Sequence, residues 1–249
     1  MARKWHESSI VKIKDESSTT KRFWLDISQQ EEAFSFRAGQ FITMDLPIGE
    51  KRRDRWRSYS IASSPSLKDQ LELCIVELEG GRASTYLFKE AREGTTIRFK
   101  GPEGMFVLPE EIQHELVFIC TGTGVAPFRS MIADLVENNK LTQPIHLIFG
   151  TRYAEGVLYQ DEFAALARSN PNFKYSVTLS REKNIDDLNF DFPVYSGYVH
   201  QVYEQEYGQH RDDIRFYLCG WSNMIDEAIQ RLTENLGYNK EQVIHELYG

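Results

Sequence analysis

Four consecutive residues, Arg57-Ser58-Tyr59-Ser60, put a guanidinium, an aromatic ring and two hydroxyls into one short, extended-looking run. Side chains alternate along a strand, so Arg57 and Tyr59 share one face and Ser58 and Ser60 the other. A guanidinium matches a pyrophosphate by paired hydrogen bonds, and a tyrosine beside it can lie flat on another ring system. The set suits a flavin nucleotide. The same residue types also make an ordinary barrel strand with one core tyrosine and one solvated arginine.

A second stretch, Thr121-Gly122-Thr123-Gly124-Val125-Ala126-Pro127, joins an apolar run to a helical one. Gly122 and Gly124 allow backbone angles that other residues avoid and let a ligand approach the main chain. Pro127 stands where the first turn of a helix needs no N–H donor, and that turn offers free N–H groups and a positive dipole end to an anion. The pattern is not G-x-G-x-x-G: proline replaces the third glycine, and no suitable acidic residue follows about 20 positions on. A tight strand-to-helix turn with no ligand is the plain alternative. In a third stretch, Gly81-Arg82-Ala83-Ser84-Thr85, the hydroxyls can cap a helix or hold a phosphate at its start.

These stretches need elements to hold them. The first hundred or so residues read as short strands: 9–13, 23–27, 40–46, 71–76 and 95–99, with one helix over about 83–91. That spacing predicts an antiparallel barrel or sandwich. Near Pro109 the pattern changes. Leu116–Cys120 is a continuous apolar run, as in a strand buried on both faces. Helices over about 160–168 and 222–236 alternate with runs at 145–149, 175–179, 215–219 and 243–248. This predicts a parallel sheet with helices on both faces, and domains spanning 1–109 and 110–249.

The 249 residues carry a net charge of −8, which disfavours wholesale nucleic-acid binding. Neither an apolar run of membrane-spanning length nor a signal-peptide segment is present, so the chain reads as cytoplasmic. Its three cysteines, Cys74, Cys120 and Cys219, form no C-x-x-C pair, which argues against zinc and cysteine-ligated iron–sulfur sites. The basic run at Lys51, Arg52, Arg53 and Arg55 opposes the overall charge. It is either a solvated loop or a patch for an acidic partner or a phosphate.

The motifs together resemble the ferredoxin–NADP reductase superfamily over nearly the whole chain. The carriers of the resemblance are Arg57-x-Tyr59-Ser60, Gly81-x-x-Ser84, Gly101-Pro102-Glu103-Gly104-Met105-Phe106, Gly122–Pro127 and Cys219-Gly220-x-x-x-Met224, in that order. The resemblance implies an FAD-binding barrel followed by an NADP-binding α/β domain. Arg57 and Ser84 would hold the FAD pyrophosphate, with Thr85 beside it, and Ser58, Gly81 and Ala83 would also contact the FAD. Tyr59 would lie on the flavin, and Ser60 near its N5, where hydride arrives.

On the nucleotide side the implied contacts are Thr121, Gly122, Thr123, Gly124, Val125 and Pro127, then Thr151 and Arg152, and Gly220 and Met224. Cys219 would approach the nicotinamide C4, although a buried strand-end cysteine is the plain alternative. Glu246-Leu247-Tyr248 resembles the Glu-x-Tyr ending of plant-type members, in which the aromatic stacks on the flavin and the glutamate helps supply protons. Here Gly249 follows the tyrosine.

Ser180 and Arg181 follow the third strand of the second domain, at the carboxyl edge where ligands bind, and suit a 2′-phosphate better than a free ribose hydroxyl. Tyr198 would flank that phosphate. The expected reaction is hydride transfer from NADPH, entering between the domains, to flavin N5, then single-electron delivery to an acidic ferredoxin or flavodoxin docked partly on 51–55. The alternatives are an NADH-dependent reductase component of a multicomponent oxygenase, and a flavin-free scaffold that keeps only the fold.

Overall fold

A computed structural model describes residues 4–30 and 33–248. The chain packs as two compact units. One is formed by residues up to Leu108 together with Ala126–Asn138, the other by Pro109–Val125 and the residues from Asn139 onward.

In the first unit the elements are β1 (Trp5–Ser17), β2 (Thr20–Asp26), β3 (Phe41–Asp45), the single turn α1 (Arg52–Arg55), β4 (Trp56–Ser60), β5 (Gln70–Val76), α2 (Arg82–Thr85), and β6 (Thr96–Glu103). A π-turn, Tyr86–Glu90, continues α2. The strands form a six-stranded sheet in the order β4-β3-β6-β1-β2-β5, and every pair is antiparallel. Its two ends meet: Ile61 bridges Leu73, and the Ala62 N–H donates to the Glu72 carbonyl at 2.8 Å. The sheet is therefore a closed barrel, which removes exposed strand edges. Phe23, Leu25, Ile42, Leu73, Ile97 and Phe99 fill it, all fully buried. β1 is longer than its apolar alternation suggested, because its outer half carries polar residues on both faces.

The second unit is built on β7 (Glu115–Thr121), which leads through the 3-10 turn Gly122–Gly124 into α3 (Val125–Glu137). There follow β8 (Ile145–Thr151), α4 (Gln160–Ser169), β9 (Phe173–Leu179), β10 (Val194–Ser196), α5 (Val199–Glu206), β11 (Ile214–Trp221), α6 (Ser222–Gln230) and β12 (Val243–Tyr248). The strand order is β10-β9-β8-β7-β11-β12, all parallel. The inner strands are buried on both faces, as their largely apolar sequences require, with His146 the buried polar exception in β8. One face packs on α5 and α6 through Val202, Tyr203, Ile225 and Ala228.

The chain leaves β7 toward β8 on one side and returns to β11 on the other. The order thus reverses between β7 and β11, and such reversals leave a crevice at the carboxyl ends of the strands. Helix α3 follows β7 in sequence but packs with the barrel. The Phe128 ring meets Phe106 edge-on at 5.6 Å, and a Cβ on Gly39 would stand 2.5 Å from the end of Met131.

Candidate functional site

On the barrel, Arg57 and Tyr59 share a face of β4, as alternation requires. Tyr59 packs against the barrel core. Burial pushes its phenol up to about 12, with the neighbouring Arg57 cation pulling the other way. Arg57 curls back over α1, where its Nη1 donates to the carbonyls of Arg53 at 3.0 Å and Trp56 at 2.7 Å. Its Nε and Nη2 make no hydrogen bond among the described residues, so part of the fork remains available to an anion.

On the other face, the Ser58 hydroxyl meets that of Thr43 at 3.1 Å, while Ser60 is buried. Ser84 does not cap α2. Its hydroxyl accepts from the Leu78 N–H at 3.1 Å and lies 3.0 Å from the Gly81 carbonyl, tying off the 78–81 turn. A Cβ on Gly81 would come within 2.7 Å of that hydroxyl. The first N–H groups of α2 therefore have no side-chain cap. Ala83 is buried beneath them and Thr85 is exposed. These residues fit a phosphate-bearing flavin cofactor.

The basic run divides. Arg55 is paired with Asp45 at 2.7 Å, and Arg52 lies over the Trp56 ring at 4.8 Å. Lys51, Arg52 and Arg53 are exposed. Two cations from β6 join the same face: Arg98 stands over Trp5 at 4.5 Å and Lys100 over Trp56 at 4.6 Å. Sequence order had not grouped them with the run.

In the second unit, two motifs about a hundred positions apart close on each other. A Cβ on Gly124 would sit 2.4 Å from the Cys219 carbonyl oxygen, and one on Gly220 would sit 2.4 Å from the Thr121 hydroxyl. Gly220 has φ +140 and Gly122 φ +53, angles that favour glycine. A Cβ on Gly122 would meet nothing within 4 Å, so this stretch of main chain faces open space at the sheet's carboxyl edge. Thr121 and Thr123 flank it half-exposed, Val125 is buried, and Pro127 lies in the first turn of α3. An open glycine turn at a helix start fits a dinucleotide phosphate.

β12 pairs with β11 so that Glu246 lies beside Cys219 and Tyr248 beside Trp221. Cys219 is fully buried. Burial and then Glu246 push its thiol well above the usual range, while a hydrogen bond with the Tyr248 side chain pulls the other way. The sulfur thus remains a neutral thiol. Met224 sits in the apolar cluster beneath α6.

Along the same edge, the Ser180 N–H donates to the Thr151 carbonyl at 3.0 Å and the Arg181 N–H to the Arg152 carbonyl at 2.9 Å. Glu182 accepts from the Ala154 N–H at 3.2 Å. Arg152 and Arg181 therefore stand on adjoining loops, both exposed, and Tyr198 is 69% exposed at the start of α5. Gly150 and Thr178 were not singled out by sequence. A Cβ on Gly150 would lie 3.2 Å from the Thr178 hydroxyl, which is buried without a hydrogen-bond partner among the described residues. The one sequence signal was a glycine ending an apolar run.

The oxidoreductase FAD-binding domain family matches residues 7–108, and the oxidoreductase NAD-binding domain family matches residues 118–230. The chain is 32% identical over 227 residues to ferredoxin–NADP reductase B of Sorangium cellulosum, covering 87% of each protein. The chain belongs to the ferredoxin–NADP reductase superfamily.

Within this superfamily, a crystal structure of a ferredoxin NADP+ reductase from Neisseria gonorrhoeae with bound FAD and NADP matches with a TM-score of 0.79 at 26% identity, over 98% of both chains. The phenol hydroxylase P5 protein of Acinetobacter pittii is 30% identical over 95% of this chain, which spans 64% of that protein's length. The superfamily's order, FAD-binding domain then NAD-binding domain, is the order of the barrel and the parallel sheet.

Proposed function

We propose that the chain is an FAD-dependent oxidoreductase that moves electrons between NADP(H) and a one-electron carrier of the ferredoxin or flavodoxin type. The observation that carries this reading is the meeting of Gly122–Gly124 with Cys219–Gly220 at the β7/β11 reversal, with Glu246 and Tyr248 beside them. When bound, the flavin supplies a ring that takes hydride at N5 and releases electrons singly. Residues 1–109 act as the flavin domain and 110–249 as the nucleotide domain.

Arg57 and the uncapped start of α2, around Gly81, Ala83, Ser84 and Thr85, hold the FAD pyrophosphate. Ser58, Tyr59 and Ser60 line its ring end. The glycine turn and the start of α3 bind the nucleotide phosphates. Cys219, as a neutral thiol, and the nearby Gly220 shape the nicotinamide site. Glu246 would supply protons there, and Tyr248 would be the aromatic that lies against a bound flavin ring. Thr151, Arg152, Ser180 and Arg181 select the 2′-phosphate, and Tyr198 packs against the adenosine end. Lys51, Arg52 and Arg53 steer an acidic carrier; Arg55 and Arg98 share Asp45, and Lys100 pairs with Glu103, so these three border the exposed cations rather than add free charge.

A second reading, an NADH-dependent reductase of a multicomponent oxygenase, is favoured by the similarity to phenol hydroxylase P5 protein. Purified protein should be yellow and release FAD on denaturation. A colourless chain that fails to take up added FAD would return the fold to a flavin-free scaffold. NADH reducing the protein faster than NADPH would favour the second reading.

A further inference from the structure

Helix α3 starts where the glycine turn ends, yet it is bonded along its length to the barrel segment 62–66, which begins just after Ser60. Arg129 Nη1 donates to the Ala62 carbonyl at 2.8 Å and to Glu72 Oε2 at 3.0 Å. The Ser130 hydroxyl donates to the Ser63 carbonyl at 2.6 Å. The Ser63 hydroxyl accepts from the Glu72 N–H at 3.1 Å. At the far end of the helix, Glu137 accepts from the hydroxyls of Ser64 and Ser66. Glu72 is 2% exposed, and its other oxygen takes Arg22 Nε at 2.6 Å.

Apolar contacts alone would seat this helix: Phe128, Met131, Ile132 and Leu135 are all buried. Burying an Arg–Glu–Arg triad adds a desolvation cost that well-packed apolar side chains would avoid. Its return is geometric. An apolar face tolerates sliding, whereas a guanidinium that bridges one carbonyl and one carboxylate accepts a single register.

We infer that Glu72, Arg129 and Ser130 are positioning residues that fix the register of α3, whose first turn is proposed to meet the nucleotide phosphates, on the segment following the flavin strand. This rests on the proposed hydride transfer, whose rate falls about a hundredfold for a misplacement of roughly 1 Å.

Arg129→Lys keeps the charge, but its shorter, unbranched side chain loses the Nη1 bridge between the Ala62 carbonyl and Glu72, and Ser130→Ala removes one hydrogen bond with little change in volume. In anaerobic stopped-flow at saturating NADPH, Arg129→Lys should slow flavin reduction at least about tenfold, and Ser130→Ala by less. FAD content, the KM for NADPH and reoxidation of reduced flavin by ferricyanide should stay within about twofold, since none of them depends on that register. Wild-type reduction rates in both variants would overturn the inference. So would a rise in KM alone, or a loss that only tracks lost FAD while flavin-loaded protein reacts normally.

Amide exchange judges the clamp apart from the chemistry. Exchange over 125–130 should speed up at least about tenfold in Arg129→Lys, with or without cofactor, and unchanged exchange would overturn the inference. A wild-type protein that neither nucleotide reduces would refute the proposed function, and this exchange arm would still decide the clamp.

Discussion

A side chain on Gly124 would stand 2.4 Å from the carbonyl oxygen of Cys219. The turn after β7 can therefore lie against the end of β11 only because Gly124 has no Cβ, and Gly220 meets Thr121 under the same restriction. Two motifs far apart in sequence become one surface at the point where the strand order reverses.

Gly124→Ala follows from that contact. The added methyl must push the turn off β11, at a cost of about 1–3 kcal/mol for overpacking. The KM for NADPH should rise about tenfold or more, while FAD content is unchanged because the residues proposed to hold its pyrophosphate lie on the barrel. An unaltered KM, measured by steady-state dye reduction, would contradict the contact's role.

Arg181→Ala addresses nucleotide choice. Losing a hydrogen bond to a charged group costs about 1.5–3 kcal/mol, so kcat/KM for NADPH should fall about 10- to 150-fold. NADH, which lacks the 2′-phosphate, should lose little. Equal losses with both nucleotides would remove Arg181 from phosphate recognition, whichever nucleotide is preferred.

Much of this was legible in the chain. The strand runs, the change of period near Pro109 and the two glycine turns follow from local chemistry, and local chemistry is what a sequence displays. Side-chain pairing across distance is not displayed. Nothing near Arg129 announces Glu72, and Arg98 and Lys100 joined the basic face only because β6 runs beside β3. Helix α5 was unassigned because its few apolar residues are crowded with polar ones, and its burial comes from the sheet beneath. Ser84 does not cap α2; its hydroxyl ties off the preceding turn at the place where a phosphate is proposed to bind.

The exposed cations make a separate prediction. Reversing Arg52 and Arg53 to glutamate should slow reduction of an acidic carrier about tenfold or more at low salt and progressively less as salt screens the pair. Reduction of a small neutral dye should be unchanged. Carrier kinetics indifferent to both charge and salt would show that docking lies elsewhere.

His146 predicts how stability depends on pH. It is buried, with Nδ1 2.9 Å from the Tyr207 hydroxyl and Nε2 2.8 Å from that of Ser176. Tyr207 donates to Glu115 at 3.1 Å, so the ring is neutral with its proton on Nδ1 and accepts from Ser176. Burial, then Lys174, lowers it from 6.5 to about 3. Between those values the unfolded chain binds a proton that the fold excludes, so stability falls as pH drops through that window. His146→Gln should be less stable at pH 7 by about 1–3 kcal/mol, yet lose less on going to pH 5. Urea midpoints that fall equally in both proteins would refute this.

The most direct test of the central claim is anaerobic mixing of FAD-loaded protein with NADPH and, separately, with NADH. The account predicts loss of the oxidised flavin absorbance with NADPH, faster than with NADH at equal concentration. A flavin that stays oxidised with both nucleotides would contradict it.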